Sequence, residues 1–226
     1  MPTKRILRSL LASATLLALV APTQAPAQMA PIAIFPTGVD DNVVPRADNA
    51  LETHYTLFAG PITGTPIVAT STGGFPIPPW LPDTGAGPCY VTPSRWIAPT
   101  ANTEGGSGNY TYRTTFNLTG FDSTTAALGG CWSTDNAGLN ILINGVATGD
   151  TTPFNAFTSW FLFEITDGFV PGINTLDFEV NNQAFGPTGL RVTFTEAQAT
   201  LVPEPHALAL LGIGLAGLGT LCRRKA

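Results

Sequence analysis

Few residues in this 226-residue chain could carry out covalent chemistry. His54 is the only histidine outside the C-terminal tail, and in His54-Tyr55-Thr56-Leu57 it reads as a strand-start residue rather than an imidazole base. The run Gly105-Gly106-Ser107-Gly108-Asn109 lacks the second glycine of a nucleophile elbow, and it precedes a strand where the elbow would lead into a helix. Asp177 and Glu179 sit two apart on one strand face, their α-carbons about 6.6–6.8 Å apart, near the carboxyl separation of an inverting glycosidase pair. Catalytic carboxylates usually come from different strands facing across a cleft. The pair therefore reads as a solvated outer face on which water keeps both groups ionised. The chain is expected not to be an enzyme, with a glycoside hydrolase as the alternative.

Binding chemistry is better represented. Asp135 and Asn136 follow an apolar run ending at Trp132, Asn144 stands in an Asn-Gly turn, Asn181 and Asn182 end the Leu176–Val180 run, and Arg191 follows Thr188-Gly189-Leu190. Amide, carboxylate and guanidinium groups beside an aromatic face suit a sugar, whose hydroxyls pair with donors and acceptors while its apolar face stacks on a ring. Trp132 is the nearest platform, and Trp80, Trp96 and Trp160 are also available. The same residues have a plainer reading: Asn and Asp dominate turns, and tryptophan in a sandwich usually fills the core. Asp40, Asp41 and Asn42 form an oxygen-rich loop that supplies part of a calcium shell or simply makes a turn. Two Cys and one His lack zinc spacing. Cys89 and Cys131 are either a disulfide or two buried thiols.

Period-two alternation supplies the elements that hold these groups. Tyr110, Tyr112, Thr114, Phe116 and Leu118 share one face of an extended run. Leu176, Phe178 and Val180 alternate with Asp177, Glu179 and Asn181, and Leu190, Val192 and Phe194 alternate with Arg191, Thr193 and Thr195. Further strands are expected at 32–35, 54–58, 67–70, 95–98, 125–132, 139–143 and 159–165, with turns at Asn144-Gly145, Asp167-Gly168 and Pro171-Gly172. Gly 24, Pro 20 and only 11% charged residues exclude long helices. Eight or more short strands predict an all-β antiparallel sandwich, most simply a jelly roll. The Gly- and Pro-dense segment 72–88 contains Phe75, Ile77, Trp80 and Leu81, so it is expected to be a loop that packs down on the sandwich.

The chain ends are different in kind. Lys4, Arg5 and Arg8 precede an apolar run from Leu10 to Val20 and then Ala25-Pro26-Ala27, the order of a secretory signal peptide cut after about Ala27. Ala207 to Cys222 is an uninterrupted stretch of apolar and small residues, about 24 Å as a helix, which is marginally short for a bilayer, and basic residues follow it. Between about residues 28 and 205 the basic residues are Arg46, Arg95, Arg113 and Arg191 against all 15 acidic ones, a net charge of −11. Such a body would repel a phosphate backbone, which excludes nucleic acid as a partner.

The tail order of Pro203, Glu204, Pro205, a short Leu- and Gly-rich apolar helix, then Arg223 and Arg224 resembles the PEP-CTERM sorting signal of exported bacterial proteins. That signal has also been labelled an ice-binding protein C-terminal domain, a label that concerns sorting and not ice. The resemblance implies exosortase as a processing partner, an inner-membrane intermediate, and a final place at the cell surface or in the extracellular matrix. The body, from Phe35-Pro36-Thr37-Gly38 through Trp96-Ile97-Ala98-Pro99, Tyr110-Thr111-Tyr112-Arg113, Trp132-Ser133-Thr134-Asp135-Asn136 and Gly189-Leu190-Arg191-Val192, resembles galactose-binding-domain-like jelly rolls. These bind glycans at a rim or act as structural modules, so extracellular polysaccharide is the expected ligand and a ligand-free matrix module the alternative. The resulting partition is a signal peptide over 1–27, a β-sandwich over 28–201 and a sorting signal over 202–226. No cofactor is expected beyond the calcium that the Asp40 loop could hold.

Overall fold

Tyr110, Tyr112 and Phe116 lie buried, as the alternation requires, along a ten-residue interior strand in one sheet of a sandwich, and Leu118, just past its end, is buried too. The computed structural model describes residues 27–71 and 74–202. The signal-peptide segment, the apolar stretch 207–222, and Pro203, Glu204, Pro205, Arg223 and Arg224 lie outside the described residues.

The strands in chain order are β1 (Met29–Pro31), β2 (Thr56–Ala59), β3 (Ile67–Val68), β4 (Ile97–Ala98), β5 (Glu104–Gly105), β6 (Gly108–Asn117) and β7 (Phe121–Asp135). They continue with β8 (Ala137–Ile143), β9 (Val146–Ala147), β10 (Phe161–Ile165), β11 (Ile173–Asn182), β12 (Gly186–Pro187) and β13 (Gly189–Leu201). One sheet runs β10-β7-β13-β4-β3, with β1 also on β13; the other runs β2-β6-β11-β8-β9; β12 pairs with β5. Every pairing is antiparallel. The long strands alternate between sheets along the chain. Asn144 and Gly145, both at positive φ, make the two-residue turn between β8 and β9.

The alternating residues of both sheets meet in one core, where Trp132 and Phe163 approach Phe178 with ring centroids 5.9 and 6.0 Å apart. Several short strands lie a few residues from their expected bounds. No strand forms at 32–35, where one was expected: the first strand lies just before it at Met29–Pro31, and the 125–132 run extends to Phe121 and Asp135 because β13 pairs with it over almost its whole length.

Two outward faces differ from the sequence expectation. Beyond β7 and β13 the Gly- and Pro-rich segment from Gly74 to Arg95 lies over the sheet, forming a second cluster of Ala69, Ile77, Trp80 and Trp96. A Cys89–Cys131 disulfide ties this segment to β7. Closing that loop stabilises the fold by about 4 kcal/mol on chain-entropy grounds. Arg191 and Thr193, expected on a solvated face, are therefore buried. On the other sheet Asp177 is only 4% exposed. Its two oxygens accept Nε–H and Nη2–H of Arg113 at 2.7 Å each, and Phe58 lies 3.5 Å over the same guanidinium. Arg113, and not water, keeps that carboxylate company.

Candidate functional site

β7 alternates its side chains until its last residue, Asp135, points to the face that the covering segment protects. Trp80 of that segment reaches it: the indole Nε1–H donates to Asp135 Oδ2 at 2.7 Å. Asn136 Nδ2 donates to Oδ1 at 2.7 Å, and Thr188 Oγ1 donates to the Asp135 carbonyl at 2.6 Å. Gly189 makes the close approach of Trp80 to β13 feasible, since a Cβ there would stand 2.7 Å from Trp80 Cη2. Trp80 in turn packs on Trp96, their ring centroids 4.4 Å apart.

Asn136 carries the site across to the second sheet. Its N–H donates to the Asn181 carbonyl at 2.9 Å and its Oδ1 accepts the Gln183 N–H at 3.0 Å. Asn182, the last residue of β11, donates through Nδ2 to the carbonyls of Gly105 and Gly106 at 3.1 and 3.2 Å. These residues form the polar side of an open pocket of about 560 Å³ at one end of the sandwich, within the range of small-molecule sites. Phe75, Phe154, Phe157 and Phe185 supply the aromatic side. Phe185 is 88% exposed, and Phe75 and Phe154 are exposed as well.

Among the described residues, Asp135 is the only charged one that lines this pocket. Burial pushes its carboxyl up to about 6, against the Trp80 hydrogen bond, which favours the ionised form. The hydroxyl of Tyr112, buried in the core, has no hydrogen-bond partner, and burial raises its pKa well above the usual phenol value.

Of the residues expected to hold a sugar, Asp135, Asn136 and Asn182 come together in the pocket. Trp132 does not: it is buried in the core, where Gly138 leaves room for its ring. Asn144 lies at the opposite end of β11, about 20 Å away along the strand. There its amide donates to the Gly168 carbonyl and Asn174 Oδ1 and accepts the Thr175 N–H, pinning a turn. Asn181 pairs with Asn109 across the outer face of the sheet. Arg191 is committed beneath the covering segment, with Nε–H on Ser94 Oγ and the Nη groups on the carbonyls of Leu81, Pro82 and Asp83. Burial lowers its pKa to about 10.

In the oxygen-rich loop, Asp40 Oδ1 accepts the N–H groups of Asn42 and Val44 at 2.9 Å each, which holds its carboxyl below the usual range. That is a turn built by its own side chain. Asp41 and Asn42 are exposed beside it, with Asp41 Oδ1 3.6 Å from His54 Nε2.

The phenylalanines of the pocket were not apparent from spacing, because they come from three separate loops. Phe185 carries the one local signal: an isolated aromatic in the short segment Gln183-Ala184-Phe185-Gly186-Pro187 has no strand face to occupy.

Residues 201–225 match the PEP-CTERM protein-sorting motif. No curated protein matches the chain. Among solved structures, a family 35 carbohydrate binding module from an environmental isolate is similar at 14% identity, with 44% of this chain and 76% of that chain covered and a TM-score of 0.26.

Proposed function

We propose that the chain is an exported, non-catalytic glycan-binding module, made as a signal peptide over 1–27, a jelly-roll body over 28–201 and a sorting signal over 202–226. In this reading exosortase processes the tail at the membrane, and the body ends at the cell surface or in the extracellular matrix, associated with polysaccharide. The PEP-CTERM motif at residues 201–225 supports export and sorting. The alternation of the long strands between two antiparallel sheets supports a jelly roll.

The pocket carries the ligand reading. Exposed phenyl rings, a carboxylate and side-chain amides line one open cavity, which is the division of labour that a pyranose needs. The site also lies at the opposite end of β13 from Met29 and Thr200. Gly189 pairs with Asp135, whereas Thr200 pairs with Met29, and the thirteen residues of the strand span about 40 Å.

A hydrolase gains one observation, the raised pKa of Asp135, which a general acid needs. Among the described residues, the pocket lining supplies no second carboxylate to act as base or nucleophile, so binding is the better reading. Affinity electrophoresis of the full chain in the host's exopolysaccharide, beside a panel of plant and bacterial glycans, tests the proposal. Retardation by at least one glycan is expected, and free migration in all of them would leave a ligand-free matrix module.

A further inference from the structure

Resting on the carbohydrate reading above, we propose that the pocket is selective for sugars bearing a free, protonated amine and discriminates against uronic acids. Three independent features lead there. First, among the described residues Asp135 is the only charged one that lines the pocket, and it is held in place by Trp80 and Asn136 so that its position does not depend on ligand. Second, no cation is at hand to accept an acidic sugar. The described residues contain no lysine, and each of the four arginines is placed elsewhere: Arg46 beside Thr53, Arg95 on Asp48 and Asp83, Arg113 on Asp177, and Arg191 under the covering segment. Third, the same lining carries the phenyl rings of Phe75, Phe154, Phe157 and Phe185, and phenyl faces attract a cation as well as stacking on a sugar.

These features act in the same direction. An ammonium group placed between the rings and the carboxylate gains a charge-assisted hydrogen bond and the ring quadrupoles together. A uronate would bring a second carboxylate beside Asp135 with nothing to neutralise either, on a body that is acidic throughout. A neutral N-acetylated sugar keeps the stacking and the hydroxyl contacts and loses only the charge term.

The test is calorimetric titration of the full chain in detergent with three oligosaccharides: fully de-N-acetylated chitosan oligomer, the N-acetylated oligomer of equal length, and oligogalacturonate. The amine-bearing oligomer is expected to bind about tenfold more tightly than the acetylated one, the equivalent of one charge-assisted contact, and oligogalacturonate to bind most weakly. Asp135→Asn should reduce the amine preference to about twofold or less while the acetylated oligomer still binds. Gln183→Lys, a change at an exposed rim position that does not threaten folding, should cancel the preference and admit oligogalacturonate. Equal binding of the amine and acetylated forms, or a preference that survives both substitutions, overturns this inference and leaves the carbohydrate reading standing. Absence of binding to all three and to the glycan panel overturns both.

Discussion

The Trp80 indole N–H and the Asp135 carboxylate meet at 2.7 Å across 55 residues of sequence, so that one hydrogen bond both fastens the covering segment to the sheet and orients the charged side chain of the pocket lining. Asp135 is only 6% exposed. A carboxylate so placed needs its donors, and each donor therefore has a predictable effect.

Trp80→Phe keeps a ring in the second core cluster and deletes the donor. The Asp135 carboxyl should then move further up from about 6, because the removed bond favours the ionised form. The cost at neutral pH should be about 1–3 kcal/mol, the desolvation of a group left short of a partner. Carbon-13 titration of the carboxyl and urea unfolding measure the two effects.

The same carboxyl makes stability depend on pH in an unusual sense. Its folded pKa of about 6 lies above the ordinary aspartate value of 3.8, so the folded chain holds the proton more tightly than the unfolded one. Stability from this group is therefore fully present below about pH 4 and is lost as pH rises through 6. Asp40 and Asp122, whose carboxyls are lowered, act oppositely at more acid pH. The difference between wild type and Asp135→Asn isolates the term: the wild type should lose stability relative to the variant as pH rises from 4 to 7, by urea midpoint.

The sequence made the inner faces of the sandwich legible because period-two alternation is a local property: Tyr110 to Leu118, Leu176 to Val180 and Leu190 to Phe194 needed no knowledge of what they meet. It could not reveal what covers the outer faces. Arg191 and Asp177 both alternate as solvated residues should, yet one lies under the segment bearing Leu81 to Asp83 and the other under Arg113 and Phe58. The site divided in the same way. Asp135, Asn136 and Asn182 stand at strand ends that β7 and β11 bring together, whereas Phe75, Phe154 and Phe185 converge only through topology. Trp132 seemed a platform because it neighbours Asp135 in sequence, but successive strand residues differ in direction, and its side chain goes to the core.

Arg191 should behave as a strut for the covering segment. Arg191→Ala leaves three carbonyls and the Ser94 hydroxyl short of a donor and should cost at least about 3 kcal/mol. Arg191→Lys should recover only part of this, since an ammonium cannot span the same fork. Urea unfolding of both variants provides the check.

Processing should trim the chain at the borders of the folded body. The Leu201 N–H donates to the Gln28 carbonyl, so pairing begins and ends within a residue or two of the expected cuts. Mass spectrometry of the native protein should find an N-terminus near Gln28 and a C-terminus changed near Pro203–Pro205. A mature, surface-located protein still carrying Arg223, Arg224 and Lys225 would contradict exosortase processing.

The most direct test of the account is whether glycan binding resides in the pocket. Phe154 and Phe185 are exposed, and their replacement disturbs little of the core; Val146, exposed on β9 and absent from the pocket lining, serves as the control. The measurement is the affinity of the full chain for whichever glycan retards it most, in Phe154→Ala/Phe185→Ala and in Val146→Ala. Loss of two stacking faces should weaken binding by at least tenfold in the double variant, with less than a twofold change in the control. Unchanged affinity in the double variant would contradict the assignment of the glycan site to this pocket.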